Sequence, residues 1–237
     1  MGEVVVCAPD GERSWIGHAI SRNQKLVAEE LKEYPTKAYA LNGTPADCVN
    51  LAVGNLLDRE PDVVVSGINL GYNITMPMIL SSGTVGGAME GALLGLRAMA
   101  VSLALPNEEF DQIRESGGKV QGKMDETLRA VAESAAKYAL AISDAPVPEG
   151  LSVHNLNYPP QYDGKDDPIL TFANPLKLNS LFDLTEDGKC YQLTYKSEWL
   201  DNAKVKVGSD LWALQENMAS VSRLDFSEAS GKRYLEP

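Results

Sequence analysis

The apolar positions of this chain fall into short unbroken runs separated by stretches of helical period. "EVVVCAP" (Glu3–Pro9) is continuously apolar and rich in β-branched residues, as a strand buried on both faces is. Asp62–Ile68 and Ala98–Leu105 repeat the pattern, and Leu151–Pro160 carries it up to two prolines that stop it. Between these runs the period changes. In "TPADCVNLAVGNLL" (Thr44–Leu57), Val49, Val53 and Leu56 mark one stripe behind an N-cap at Thr44, a proline at the first helical position and Asp47 in the first turn. Ser81–Leu96 starts rich in glycine and serine and turns helical, and Asp125–Ala141 is an amphipathic helix. Strand, helix and strand in alternation predict an α/β fold with a parallel sheet and right-handed crossovers.

The pattern weakens after Pro160. Tyr162–Val207 is richer in charge and turn residues, and alternating patches such as "KCYQLTYKSEW" predict hairpin strands on an arm rather than core. Gly208–Phe226 is apolar again and is expected to return to the main body. The expected organisation is a core over residues 1–160, an extended arm over 161–207, and a C-terminal segment, 208–237, that rejoins the core.

Composition narrows the partners. The 237 residues are 44% hydrophobic and 23% charged, enough for a sizeable core. With 21 basic against 33 acidic residues the net charge is −12. That opposes a nucleic-acid polymer, which needs a basic footprint, and gives no reason to expect a membrane surface. A small anion stays admissible, because backbone amides hold phosphate locally. Cys7, Cys48 and Cys190 form no CxxC pair and are expected as buried reduced thiols of a cytoplasmic protein. No apolar run approaches the ~18 residues of a membrane span, and no signal-peptide pattern opens the chain.

In an open parallel sheet, ligands bind beyond the carboxyl ends of the strands. Four polar segments follow such ends: Asp10–Ser21 with Ser14 and His18; Asn69–Asn73; Ser82-Gly83-Thr84 before a helix; and His154–Asn157. Each has a plain structural reading. Ser82-Gly83-Thr84 is a helix cap or a phosphate seat. Asn69 and Asn73 are turn formers or ligand-holding amides, His18 is a structural hydrogen-bonder or part of a site, and His154 is a satisfied core histidine. Their common location at one sheet edge favours a binding site. A dinucleotide-dependent oxidoreductase is set aside, since no strand is followed by G-x-G-x-x-G.

"VVVSGINLGYN", "SSGTVGGAMEGALLG" and "ALNGTPADCVNLAV" closely resemble the SurE family, the stationary-phase survival proteins, which are metal-dependent 5′-nucleotidases. "VVVCAPDGERSWIGHAIS" resembles the family's second strand and serine loop, and "SVHNLNYP" and "GSDLWAL…ASVSRLDF" resemble later segments, so the likeness runs with gaps through most of residues 3–226. The resemblance implies a Rossmann-like three-layer core. It also implies a protruding β-hairpin arm exchanged between subunits of a homodimer or tetramer, and a site with one divalent metal, Mg²⁺ or Mn²⁺. Ser14 and Asn69 match the family's neutral metal ligands, and Asn73, Ser82, Gly83 and Thr84 match the positions that cradle the phosphate of a nucleoside monophosphate or small phosphomonoester. His18, Asn42, Thr44 and Asp47 are expected around them.

The family pattern also begins with a strand ending in N-D-D-G, whose aspartates are the charged metal ligands and include the proposed catalytic carboxylate. No such motif occurs in this chain, so no catalytic residue is assigned. Asp166-Asp167 is the only adjacent aspartate pair and stands in the arm. Mg²⁺ and Mn²⁺ draw most of their attraction from carboxylates, so a hydroxyl and an amide are expected to hold them poorly. The strand that the pattern lacks is central in a doubly wound sheet, and without it the neighbours either close on each other or leave unpaired backbone. A fragment or displaced start of an active phosphohydrolase is the favoured explanation. A non-catalytic phosphate-binding variant, or a strand supplied by another chain, are the alternatives.

Overall fold

The computed structural model describes residues 2–226 except 106, 117, 118, 149, 195 and 197. The first strands are β1 (Val5–Pro9), β2 (Ala28–Glu30) and β3 (Lys37–Leu41), followed by helix α1 (Pro45–Leu51), which runs on into a π-helical turn, Ala52–Leu56. Then come β4 (Val64–Leu70), α2 (Thr75–Ser81), α3 (Gly83–Leu93), β5 (Ala98–Leu103), α4 (Asn107–Glu115), α5 (Lys123–Ser143) and β6 (Ser152–Tyr158). The last third holds β7 (Ile169–Thr171), the short strands β8 (Phe182–Leu184) and β9 (Tyr191–Leu193), α6 (Glu198–Asp201), α7 (Asp210–Gln215) and β10 (Ser220–Asp225).

β5 is the centre of the layering. All six of its residues are buried, as expected of a strand covered on both faces. Met99, Val101 and Leu103 point to one side, where Leu156, Tyr158 and the α5 residues Val131 and Ala135 complete a cluster. Ala98 and Ala100 point to the other, against Val85 and Ala88 of α3. The larger side chains face α5 and the small ones face α3, so α3 sits close to the sheet. Tight seating matters because the start of α3 forms part of the site.

The main sheet has the order β4-β5-β6-β10-β7. β4, β5 and β6 are parallel, as the alternation predicts, but β10 enters antiparallel to β6, in register from Ser220 opposite Asn157 to Asp225 opposite Ser152. The sheet is therefore mixed beyond β6, and the C-terminal return is an interior strand rather than a surface segment. The expected third segment extends to residue 237, but residues 227–237 lie outside the described residues.

A second sheet has the order β1-β3-β2, with β1 and β3 parallel. Among the described residues β1 pairs only with β3, and β4 only with β5. The neighbours have not closed on each other; their facing edges stay unpaired, with Val4, Val6 and Val65 exposed at 53%, 41% and 45%. The two sheets are held together on one face by α1, which packs on both β1 and α3.

β8 and β9 form an antiparallel hairpin, and Phe182, Leu184 and Tyr191 on it are exposed. Cys190 beside β9 is exposed too, whereas Cys48 is buried and Cys7 half-buried. The expectation of buried thiols thus fails at Cys190, which precedes β9 on the exposed side of the hairpin. No helix among the described residues is long and apolar enough to cross a membrane.

Candidate functional site

The C-terminal ends of β1 and β4 open into one cleft of about 680 Å³. Ser14, Asn69, Asn73, Ser82, Gly83 and Thr84 all border it. Three of the four segments singled out in the sequence therefore meet there.

The floor is the start of α3. Ser82 is its N-cap and its hydroxyl accepts from Val85 N–H at 3.1 Å. Capping leaves the remaining first-turn N–H groups and the positive end of the helix toward the cleft, the arrangement that suits an oxyanion. Gly83 sits tightly among its neighbours: a β-carbon there would lie 3.0 Å from Ile16 Cγ2 and 3.1 Å from the Arg13 carbonyl oxygen. The serine loop thus presses directly on the seat, and it is tied there by Gly17 N–H donating to Ser81 O at 2.8 Å. Within the loop, the Ser14 hydroxyl donates to Glu12 Oε1 at 2.5 Å, and Arg13 is bridged to Asp10 at 2.6 Å.

Asn73 is buried at 4% exposure, and its contacts explain the fourth segment. Asn155 and Asn157 both donate to the Asn73 carbonyl, at 2.8 and 3.0 Å, and Asn157 Oδ1 accepts from Asn73 N–H. Asn73 Nδ2 in turn donates to Ser102 Oγ at 2.6 Å. The two amides of β6 thus hold the turn after β4 in place, a role for which the alternation of polar residues in "SVHNLNYP" was the available signal. Asn69, four residues earlier on β4, faces the cleft itself.

His154 is apart from the cleft. Its Nδ1 shares a 2.8 Å hydrogen bond with the Tyr138 hydroxyl, the satisfied histidine that its strand context suggests. Burial, with the nearby Arg223 guanidinium, holds its imidazole below the ordinary value. The folded state therefore keeps His154 neutral where the unfolded chain takes up a proton near pH ~6.5. This contribution to stability is present above that pH and is lost as pH falls toward and through the folded value. Urea midpoints measured at pH 7.5 and 5.5 should fall more in the wild type than in His154→Phe, whose unchanged slope would assign the acid sensitivity elsewhere.

The residues expected around the site act as its frame. Thr44 and Asp47 form a reciprocal capping box on α1. Asp47 also accepts from Ser21 N–H at 3.0 Å, so both of its oxygens are spent on backbone. Burial opposes its charge, but the bonds from Ser21 and Thr44 outweigh it and hold the carboxyl below its ordinary value. Asn42 is turned toward the preceding loop, accepting from Val27 N–H at 2.8 Å and donating to Lys25 O. His18 meets Glu90 at 2.7 Å, and Glu90 accepts from Asn50 Nδ2 at 2.6 Å. Glu90, buried in α3, joins the serine loop, α1 and α3. Its one signal in the sequence is a lone carboxylate in the otherwise small and apolar run "GGAMEGALLG".

These donors do not fit a divalent ion by themselves. Ser14 gives its proton to Glu12, Asp10 is paired with Arg13, both Asp47 oxygens are occupied, and Asn69 brings a neutral amide. No three His, Cys, Asp or Glu side chains gather for a metal among the described residues. Hard cations need several converging carboxylates; Glu12 and Asp111 border the same cleft as Ser14 and Asn69, but among the described residues they do not form such a group.

A family model described as "Survival protein SurE" matches residues 1–174. The chain belongs to the SurE family. The 5′-nucleotidase SurE of Archaeoglobus fulgidus is 30% identical over 225 residues, 94% of this chain and 81% of that relative. The 5′-nucleotidase SurE of Moorella thermoacetica is 54% identical over 106 residues, a stretch covering 44% of this chain and only 40% of that protein. The SurE protein from Aquifex aeolicus, solved by crystallography, superposes with a TM-score of 0.68 at 26% identity, covering 98% of this chain and 88% of that one. The α/β SurE architecture is thus shared, and the three leading motifs of the resemblance each contribute residues to the cleft wall.

Proposed function

We propose that the cleft holds the phosphate of a small phosphomonoester, a nucleoside 5′-monophosphate above all, and that this chain carries the phosphate-binding part of a SurE-type phosphohydrolase. The observation behind this reading is the convergence of Asn69, Ser82, Gly83 and Thr84 on one cleft at the positive end of α3. The names of the relatives, 5′-nucleotidases, support the substrate class. Asn69 and Thr84 would donate to non-bridging oxygens alongside the first N–H groups of α3. In-line attack by water further needs a base or metal-held charge, and the donor set at the cleft favours binding without turnover in the chain as it stands. The exposed apolar hairpin β8–β9 is, in the same reading, the contact of a homodimer or tetramer, checked by light scattering.

Calorimetry with inorganic phosphate, with EDTA and then with Mn²⁺, tests this. Phosphate should bind in both, and Asn69→Ala and Thr84→Val should each weaken it about tenfold, the worth of one hydrogen bond to a charged group. Binding without phosphate release from AMP supports the phosphate-binding reading. Mn²⁺-dependent release would make the chain an active enzyme and place its metal ligands outside the residues named above. Absence of any binding overturns both.

A further inference from the structure

The cleft is lined by two kinds of group. The start of α3 and the end of β4 bring amides, hydroxyls and N–H groups, and Trp15, Tyr72 and Phe110 bring aromatic rings. A volume of about 680 Å³ is in the range of clefts that enclose a whole small organic ligand, far beyond one oxyanion. Polar and aromatic lining together suit a ligand that joins a phosphate to a flat apolar group.

Trp15 is the residue of this lining whose placement calls for explanation. It is half-buried and has φ +56°, a left-handed conformation that bulky residues rarely adopt. Ile16 beside it and Arg13 two residues before it press on Gly83, and Gly17 is bonded to Ser81, so Trp15 is held close to the start of α3. Its ring meets Trp199 edge-on at 6.3 Å and 76°. One edge contact returns no more than left-handed backbone withdraws from a bulky residue, so packing against Trp199 does not account for the conformation. Burial first, with Asp201 and Glu109 adding, pushes the phenol of Tyr72 up, which keeps that part of the lining uncharged.

We infer that Trp15 is a specificity-determining residue: it takes the planar base of a nucleoside 5′-monophosphate while the start of α3 holds the phosphate. The inference rests on the phosphate reading proposed above. Stacking a base on an indole is worth about tenfold or more in affinity. Calorimetry with AMP and with ribose 5-phosphate separates the two contributions. In the wild type AMP should bind about tenfold more tightly than ribose 5-phosphate. Trp15→Ala should erase that ratio and leave ribose 5-phosphate binding unchanged, and Trp15→Phe should keep most of it. Circular dichroism melts verify that the variants fold, and Trp15→Leu, which keeps bulk without an aromatic face, decides in the same way if the alanine variant does not. Equal affinities in the wild type, a ratio that survives Trp15→Ala or Trp15→Leu, or equal weakening of both ligands by Trp15→Ala each overturn the role of Trp15. If neither ribose 5-phosphate nor inorganic phosphate binds, the phosphate reading itself falls and the inference with it.

Discussion

Asp210→Ala lowers the unfolding free energy by about 3–5 kcal/mol, measured as a shift of the urea midpoint at constant slope. Asp210 is fully buried, and its carboxylate is the acceptor for three backbone N–H groups. Oδ2 accepts from Thr75 at 2.8 Å, and Oδ1 from Asn174 at 2.8 Å and Leu211 at 2.7 Å. These donors belong to the start of α2, the segment after β7 and the start of α7. One side chain therefore joins the element that precedes the start of α3 to the C-terminal return. Alanine removes every acceptor at once and leaves the donors in a site closed to water, the situation in which lost hydrogen bonds are most expensive. Asp210→Asn keeps the volume and one oxygen, so an intermediate loss is expected. A loss below ~1 kcal/mol for the alanine variant would mean that water reaches the three donors.

How much of this was readable in advance depends on whether the cause is local. The α1 start was readable because Thr44, Pro45 and Asp47 act on their own neighbours, and the capping box is there. The β4 and β5 runs were readable because both are largely apolar; burial on both faces holds for β5, whereas β4 keeps Val65 exposed. α2 was not. "TMPMILS" carries a proline and has no capping side chain before it, and Ile74 and Met78 are buried by Leu200 and Leu211, more than 100 residues later. The place of β10 between β6 and β7 is likewise a property of the whole sheet. In the candidate site, Ser82-Gly83-Thr84 and the two asparagines stood out as residue types, but their structural contacts did not. Asn73 is held by Asn155 and Asn157, and Glu90 is joined to His18 across 72 positions of sequence. Such pairings are set by how α3 and the serine loop meet, which no local pattern encodes.

That meeting is the subject of the second large effect. Gly86→Ala should cost roughly 2–3 kcal/mol of stability and weaken phosphate binding at least tenfold. Helix propensity alone argues the other way, since alanine in a helix interior is favoured over glycine by about 1 kcal/mol. Contact decides the sign. A β-carbon at Gly86 would lie 2.5 Å from the Gly17 carbonyl oxygen, 2.9 Å from its carbon and 3.0 Å from His18 Cα. All three are backbone atoms, so no rotamer change relieves the overlap, and either α3 or the loop must move. α3 is locked between β5 and α1, which leaves the loop to yield. Its movement breaks the Gly17–Ser81 and His18–Glu90 bonds and carries Ser14 and Trp15 away from the start of α3. Gly54→Ala is the matched control, because a β-carbon there meets nothing within 4 Å and should be neutral or stabilising. Thermal melts and phosphate calorimetry on the two variants separate propensity from contact. Should Gly86→Ala prove as stable as Gly54→Ala with phosphate affinity intact, the serine loop does not rest on α3, and the cleft is not built from the two together.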